Sequence, residues 1–133
     1  MIQEAFYDKV TNAAAALPTP ILYGIQKGTA APFYVMQKIS DAERPESVCE
    51  SQGHSGRALF QFTVASRGTA GSTEALLEDL KDVVADIIGD FVYNGTTYNI
   101  WNNVTTGVVS LGGASLNTWD AEFETTIWWE IKS

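Results

Sequence analysis

The chain has 133 residues, 45% of them hydrophobic, with four Trp, five Tyr and six Phe; that length fits one domain with a real core and excludes disorder along the whole chain. Sixteen acidic residues against eight basic ones give a formal charge of −8. This balance disfavours a grip on nucleic acid or on an anionic membrane, both of which need Lys and Arg.

Residues 2–17 read as an amphipathic helix, with Ile2, Phe6, Val10, Ala13 and Leu17 recurring at spacings of three or four. Glu4, Asp8 and Asn12 fall on another face, and Pro18 and Pro20 stop the helix. The stretch has neither the basic start nor the apolar block of a signal peptide. No segment approaches the length of a membrane span. Ile21 to Ile25 is a short apolar piece suited to an edge strand, and Phe33 to Ser40 is a stronger strand, apolar on both faces at its start.

Residues 41–56 read as a long loop, rich in charge and poor in core formers; loops of this length in small domains are usually functional or mobile. Arg57 to Ser66 alternates cleanly, with Phe60, Phe62 and Val64 on one face. After a Gly68–Gly71 turn, Ser72 or Thr73 caps a second helix over Glu74–Asp90, with an apolar arc of Leu76, Leu80, Val83, Val84, Ile87 and Phe91. Asn94-Gly95 is a strong turn signal leading into a strand over Thr96–Val104. Residues 105–118 make a second long loop or a loose hairpin. In the last segment, 119–131, Trp119, Ala121, Phe123, Thr125, Ile127, Trp129 and Ile131 share one face. The order predicts an α+β fold: a mostly antiparallel sheet with two helices packed on one face, long loops at 41–56 and 105–118, and one domain over 1–133.

The search for chemistry returns little. Gly68-Thr69-Ala70-Gly71-Ser72 precedes a helix but lacks the Lys of a phosphate-cradling loop. Gly53-His54-Ser55-Gly56 misses the nucleophile-elbow pattern, because Arg57 stands where the last glycine belongs. His54, Cys49, Glu50 and Asp41 share one stretch with no zinc spacing, and no calcium-loop spacing occurs. Cys49 is the single cysteine, so no internal disulfide forms, and a reducing cytoplasm is the expected folding compartment. The expectation is a protein that is not an enzyme and holds no catalytic residue, cofactor or metal.

Two features point to contacts instead. Glu74, Glu78, Asp82, Asp86 and Asp90 follow one another at spacings of four. Each like-charge pair at that spacing costs a helix about 0.2–0.5 kcal/mol, so the row fits either a solvated face or an acidic surface with a role. Trp128 lies on the polar face of the last strand, between Thr126 and Glu130. Trp buries much area at an interface, and a neighbouring loop such as 105–118 is the other cover for it.

Four segments together resemble a known family: the amphipathic helix around Ile2–Leu17; Pro32-Phe33-Tyr34-Val35-Met36-Gln37-Lys38-Ile39-Ser40; Gly56-Arg57-Ala58-Leu59-Phe60-Gln61-Phe62-Thr63-Val64 leading into the helix Glu74–Asp90; and Phe123-Glu124-Thr125-Thr126-Ile127-Trp128-Trp129. In order and spacing they resemble the tail-completion, or tail-terminator, proteins of long-tailed bacteriophages. The resemblance implies a virion protein that forms a ring, typically a homohexamer, on the head-proximal end of the tail tube. The ring ends tube growth and gives the head-joining surface. The implied partners are sister copies, the tube protein and a head-completion or connector protein, with DNA passing through unbound. Residues assigned to subunit or tube contact are Asp41, Glu43, Arg44, Glu46, Glu50, His54, Arg57 and Trp128. Glu78, Asp82 and Asp86 are the candidate lining of the lumen. The competing readings are another head–tail connector or tube subunit, and a small ligand-binding domain or hydrolase, which needs an apolar pocket with convergent polar groups.

Overall fold

The computed structural model describes residues 2–15, 17, 21–23, 33–45, 54–66, 70–115 and 118–132. In chain order its elements are α1 (Ile2–Ala13), β1 (Ile21–Tyr23), β2 (Phe33–Pro45), β3 (His54–Ser66), α2 (Ala70–Ala85), β4 (Gly89–Tyr93), β5 (Thr96–Thr105), β6 (Val109–Ser115) and β7 (Thr118–Lys132). They make the expected α+β fold. The strands form one sheet in the order β1-β2-β3-β7-β5-β4, with β6 also paired to β7. Every pairing is antiparallel except β1 with β2.

The alternation read from β7 is what fixes the core. Ala121, Phe123, Thr125, Ile127 and Trp129 are buried, and the residues between them lie half-buried on the opposite face. β3 supplies the matching row, with Phe62 opposite Phe123 and Ala58 opposite Ile127. Tyr34 and Met36 extend this row onto β2, and Tyr98 and Ile100 onto β5. The rings of Phe62 and Phe123 stack with centroids 5.0 Å apart and planes 10° from parallel.

Both helices cover this one face. Phe6 of α1 meets Phe60 at 4.9 Å, and α2 packs on β7 and β3 through a side that buries Leu77, Leu80 and Val84. The Tyr34 hydroxyl donates to the Leu76 carbonyl at 2.8 Å, tying β2 to α2. In α1 the buried positions are Ile2, Ala5, Phe6 and Val10, and Ala14 just past its end is buried too, while Ala13 is exposed. The expected inward place of Ala13 thus belongs to Ala14, which keeps the four-residue step from Val10.

The second helix ends earlier than its apolar arc predicts. Gly89 takes φ +103°, a conformation costly for a residue with a Cβ. The last turn tightens just before it, with Asp86 N–H to Val83 O at 3.3 Å and Ile87 N–H to Val84 O at 3.1 Å. Asp90 and Phe91 therefore belong to β4, not to the helix. The helix also starts earlier, so Ser72 and Thr73 lie inside its first turn. β4 then returns as β5 through Asn94 and Gly95, at φ 50° and 78°, the geometry of a tight two-residue hairpin.

The expected loop at 41–56 is corrected at both ends. β2 runs on to Pro45 and β3 begins at His54, with Asp41 opposite Ala58, Glu43 opposite Gly56 and Arg44 opposite Ser55. Backbone pairing needs no apolar side chains, so these charged residues continue a ladder that a hydrophobic pattern cannot reveal. Residues 46–53 lie outside the described residues. The expected loop at 105–118 likewise holds β6, paired with one end of β7. Between β5 and β6, Glu124 binds Thr106 twice: its carbonyl accepts from the Thr106 N–H, and its own N–H donates to Thr106 Oγ1, both at 2.8 Å.

At the outer edge, the Asp90 carboxylate accepts from Asn99 Nδ2 at 2.6 Å and from Lys132 Nζ at 3.2 Å. The Asn99 amide and the Lys132 ammonium hold the Asp90 carboxyl below its ordinary range. Because the folded-state pKa is depressed, the stabilisation is present above the ordinary aspartate range and is lost as pH falls through the lowered value. Asp90→Asn is expected to flatten the acid side of the stability–pH curve, and an NMR titration of Asp90 should give a midpoint below that of a model peptide. A normal midpoint would show that the two contacts do not form in solution.

Candidate subunit interface

The sheet face away from the helices is not covered by any described element. On β3 it presents Arg57, Leu59, Gln61 and Thr63, and on β7 Glu122, Glu124, Thr126, Trp128 and Glu130. Gln61 Nε2 donates to Glu122 Oε2 across these two strands. Val104 on β5 and Val109 on β6 are 52% and 56% exposed.

On this face stands a pair of indoles that the sequence showed only by half. Trp101 is 56% exposed and lies 6.2 Å from Trp128, ring centre to ring centre, with planes at 47°. A bulge makes the meeting possible. Ile100 pairs with Trp129 and Asn102 with Trp128, so Trp101 is the extra residue on β5. The bulge also resets the alternation. Asn103 turns to the helix side, where its amide nitrogen donates to the carbonyls of Val84 and Ile87 at 2.9 and 3.1 Å and its oxygen accepts from the buried Thr125 hydroxyl at 2.5 Å. The Val84 carbonyl also accepts from the Ile87 N–H, so Asn103 fastens the tightened last turn of α2 to β5. Strict alternation from Tyr98 and Ile100 would have put Val104 in the core; instead it is on the open face. The signal available in the sequence was Trp101 out of step with Ile100.

The predicted contact residues divide into three groups. Arg57 and Trp128 are brought together, as direct cross-strand partners on the open face; Arg57 is exposed and Trp128 half-buried. Asp41, Glu43 and Arg44 lie along β2, and His54 opens β3; their side chains are outside what the structure describes. Glu46 and Glu50 lie outside the described residues altogether. Glu78, Asp82 and Asp86 are exposed on α2 or just past its end, on the helix side of the sheet and so apart from Arg57 and Trp128. Glu78 is 3.8 Å from Lys81.

A second surface was not anticipated. Where α1 meets β4, a groove of about 420 Å³ is lined by Glu4, Tyr7, Asp8 and Tyr93. Beside it the Lys9 ammonium lies 5.9 Å from the centre of the Phe91 ring. Residues 4–8 and 93 are far apart in the chain, and only the fold joins them. Among the described residues, no three His, Cys, Asp or Glu side chains converge as a metal site. No helix there is long and apolar enough to cross a membrane.

No protein-family model matches the chain, and no curated protein matches it. Solved structures do share its fold. One, a chain with no functional description, is 14% identical, with a TM-score of 0.54, over 99% of this chain and 94% of that one. Another belongs to the virion of a native gene transfer agent particle; it is 12% identical, with a TM-score of 0.58, over 94% of this chain and 91% of that one. At such identities the likeness speaks for the fold.

Proposed function

We propose that this chain is a virion structural protein that acts by packing against other subunits and not by catalysis. In the finer form of this reading it is a tail terminator. Copies assemble as a homohexameric ring on the head-proximal end of a phage tail tube, end tube growth and present the surface that joins the head. The observation that carries it is the similarity, over nearly the whole of both chains, to a chain of a gene transfer agent virion. The segments quoted above resemble tail terminators in the same order, and the sheet face that no described element covers, with its Trp101–Trp128 pair, is suited to subunit packing.

The partners on this reading are sister copies, the tube protein and a head-completion or connector protein. DNA crosses the ring without being bound. Negative-stain microscopy of the protein mixed with tail tubes tests it. One ring at one end of each tube is expected, and a chain that leaves tubes bare removes the reading.

One observation favours a second role, that of a tube subunit. β2 and β3 extend to Pro45 and His54 as one long hairpin, and a long hairpin suits the stacking of rings. Stacking along the tube, in place of a single cap, is the outcome that would select it.

The exposed Glu78, Asp82 and Asp86 remain the candidate lining of the channel. Like charge repels DNA at short range and is screened beyond roughly 8–10 Å. Neutralising all three to Gln and Asn is expected to slow DNA passage while rings still form. Unchanged infectivity of particles carrying the triple variant would remove the lining role.

A further inference from the structure

Among its described residues the protomer carries a cation without a partner on one surface and an aromatic, acid-rimmed groove on another. We propose that the two meet between neighbouring copies: the Arg57 guanidinium of one copy enters the Glu4–Tyr7–Asp8–Tyr93 groove of the next. This contact rests on the ring reading above and gives it a joint.

The choice of Arg57 follows from the charges. Among the described basic side chains, Lys132 pairs with Asp90 at 3.2 Å, Lys81 lies 3.8 Å from Glu78, and Lys9 stands over Phe91 at 5.9 Å. Lys38 also has a partner. Arg57 is exposed and, among the described residues, makes no hydrogen bond, ion pair or ring contact. The groove has the opposite character, with two carboxylates, two phenol rings and no basic group among the described residues of its lining. A guanidinium suits both, because it stacks on aromatic faces and pairs with carboxylates through a planar fork.

Aromatic surface adjoins the Arg57 half. Trp128 is the cross-strand partner of Arg57, with Trp101 6.2 Å beyond it. A basic side chain framed by Trp is the usual composition of an energetic centre in a protein interface.

The placement sets the symmetry. Arg57 lies on the open face of β3, in the middle of the sheet. The groove lies on the helix side, at the β4 edge. Two different patches on each copy make a head-to-tail contact, which generates a closed ring when the rotation closes. A two-fold dimer would require the same patch on both sides.

Sedimentation velocity and mass photometry, with and without tail tubes, test the contact by charge reversal. Arg57→Glu and the pair Glu4→Arg/Asp8→Arg are each expected to weaken self-association at least about tenfold. The triple variant, which restores opposite charges in every joint, should recover to within about threefold of the wild type. Glu4→Gln/Asp8→Asn serves as the milder version, and circular dichroism confirms that each variant folds. Wild-type association in Arg57→Glu overturns the contact and leaves the ring reading standing. A defect in the groove variants alone, or one that the triple variant does not rescue, also overturns it and gives the groove to another protein. A wild-type chain that associates neither in solution nor on tubes removes the ring reading and the contact together.

Discussion

Replacing Phe62 by Ala is expected to lower folding stability by about 3–5 kcal/mol, the range for deleting a buried aromatic ring. Phe62 is fully buried and sits where β2, β3 and β7 run side by side, between Met36 and Phe123 in the register. Removal opens a cavity against the Phe123 ring stacked 5.0 Å away. Strands locked on both sides cannot slide in to fill it. Domains of this size are stabilised by roughly 5–15 kcal/mol, so the variant would lose a large share of its margin. Urea denaturation followed by far-UV circular dichroism measures the shift, with Phe62→Leu as a smaller perturbation. A loss below about 1 kcal/mol would mean the site relaxes freely and is not the packed centre described.

The second large effect concerns assembly. The double change Trp101→Ala/Trp128→Ala is expected to weaken subunit association by about two orders of magnitude or more, since central Trp residues in interfaces commonly contribute about 2 kcal/mol or more each. Trp101 is 56% exposed and Trp128 half-buried, so stability should fall far less than for Phe62→Ala. Sedimentation equilibrium separates the two quantities. Association equal to the wild type would show that this face looks into solvent and that the indoles merely cover each other.

Parts of this architecture were legible in the sequence for a physical reason. β7 is half-buried along its length, so its side chains alternate and the period of two is visible. The Asn94-Gly95 turn was legible because few other residue pairs accept two positive φ angles. The rest was hidden for equally definite reasons. Asp90 and Phe91 continue the four-residue spacing of α2, and only the backbone turn at Gly89 removes them from it. Asp41 to Arg44 hold a strand by main-chain pairing, which leaves no mark in hydrophobicity. The bulge at Trp101 changes which residues face the core without changing the composition. Of the contact residues, Trp128 was found because it breaks the pattern of its strand. The groove was invisible, since nothing in the sequence brings Glu4 and Asp8 to Tyr93.

The pairing of β7 bears on when a copy can join others. Its Trp119 meets Ser66 and its Glu130 meets Ser55, while its far side meets β5 and β6. These partners are distant along the chain, and such long closures make folding slow relative to helical proteins. The indole pair takes one ring from β5 and one from β7, and Arg57 comes from β3. A nascent or half-folded copy therefore has no finished mating surface to offer, and premature clumping of immature copies is held back by the topology itself.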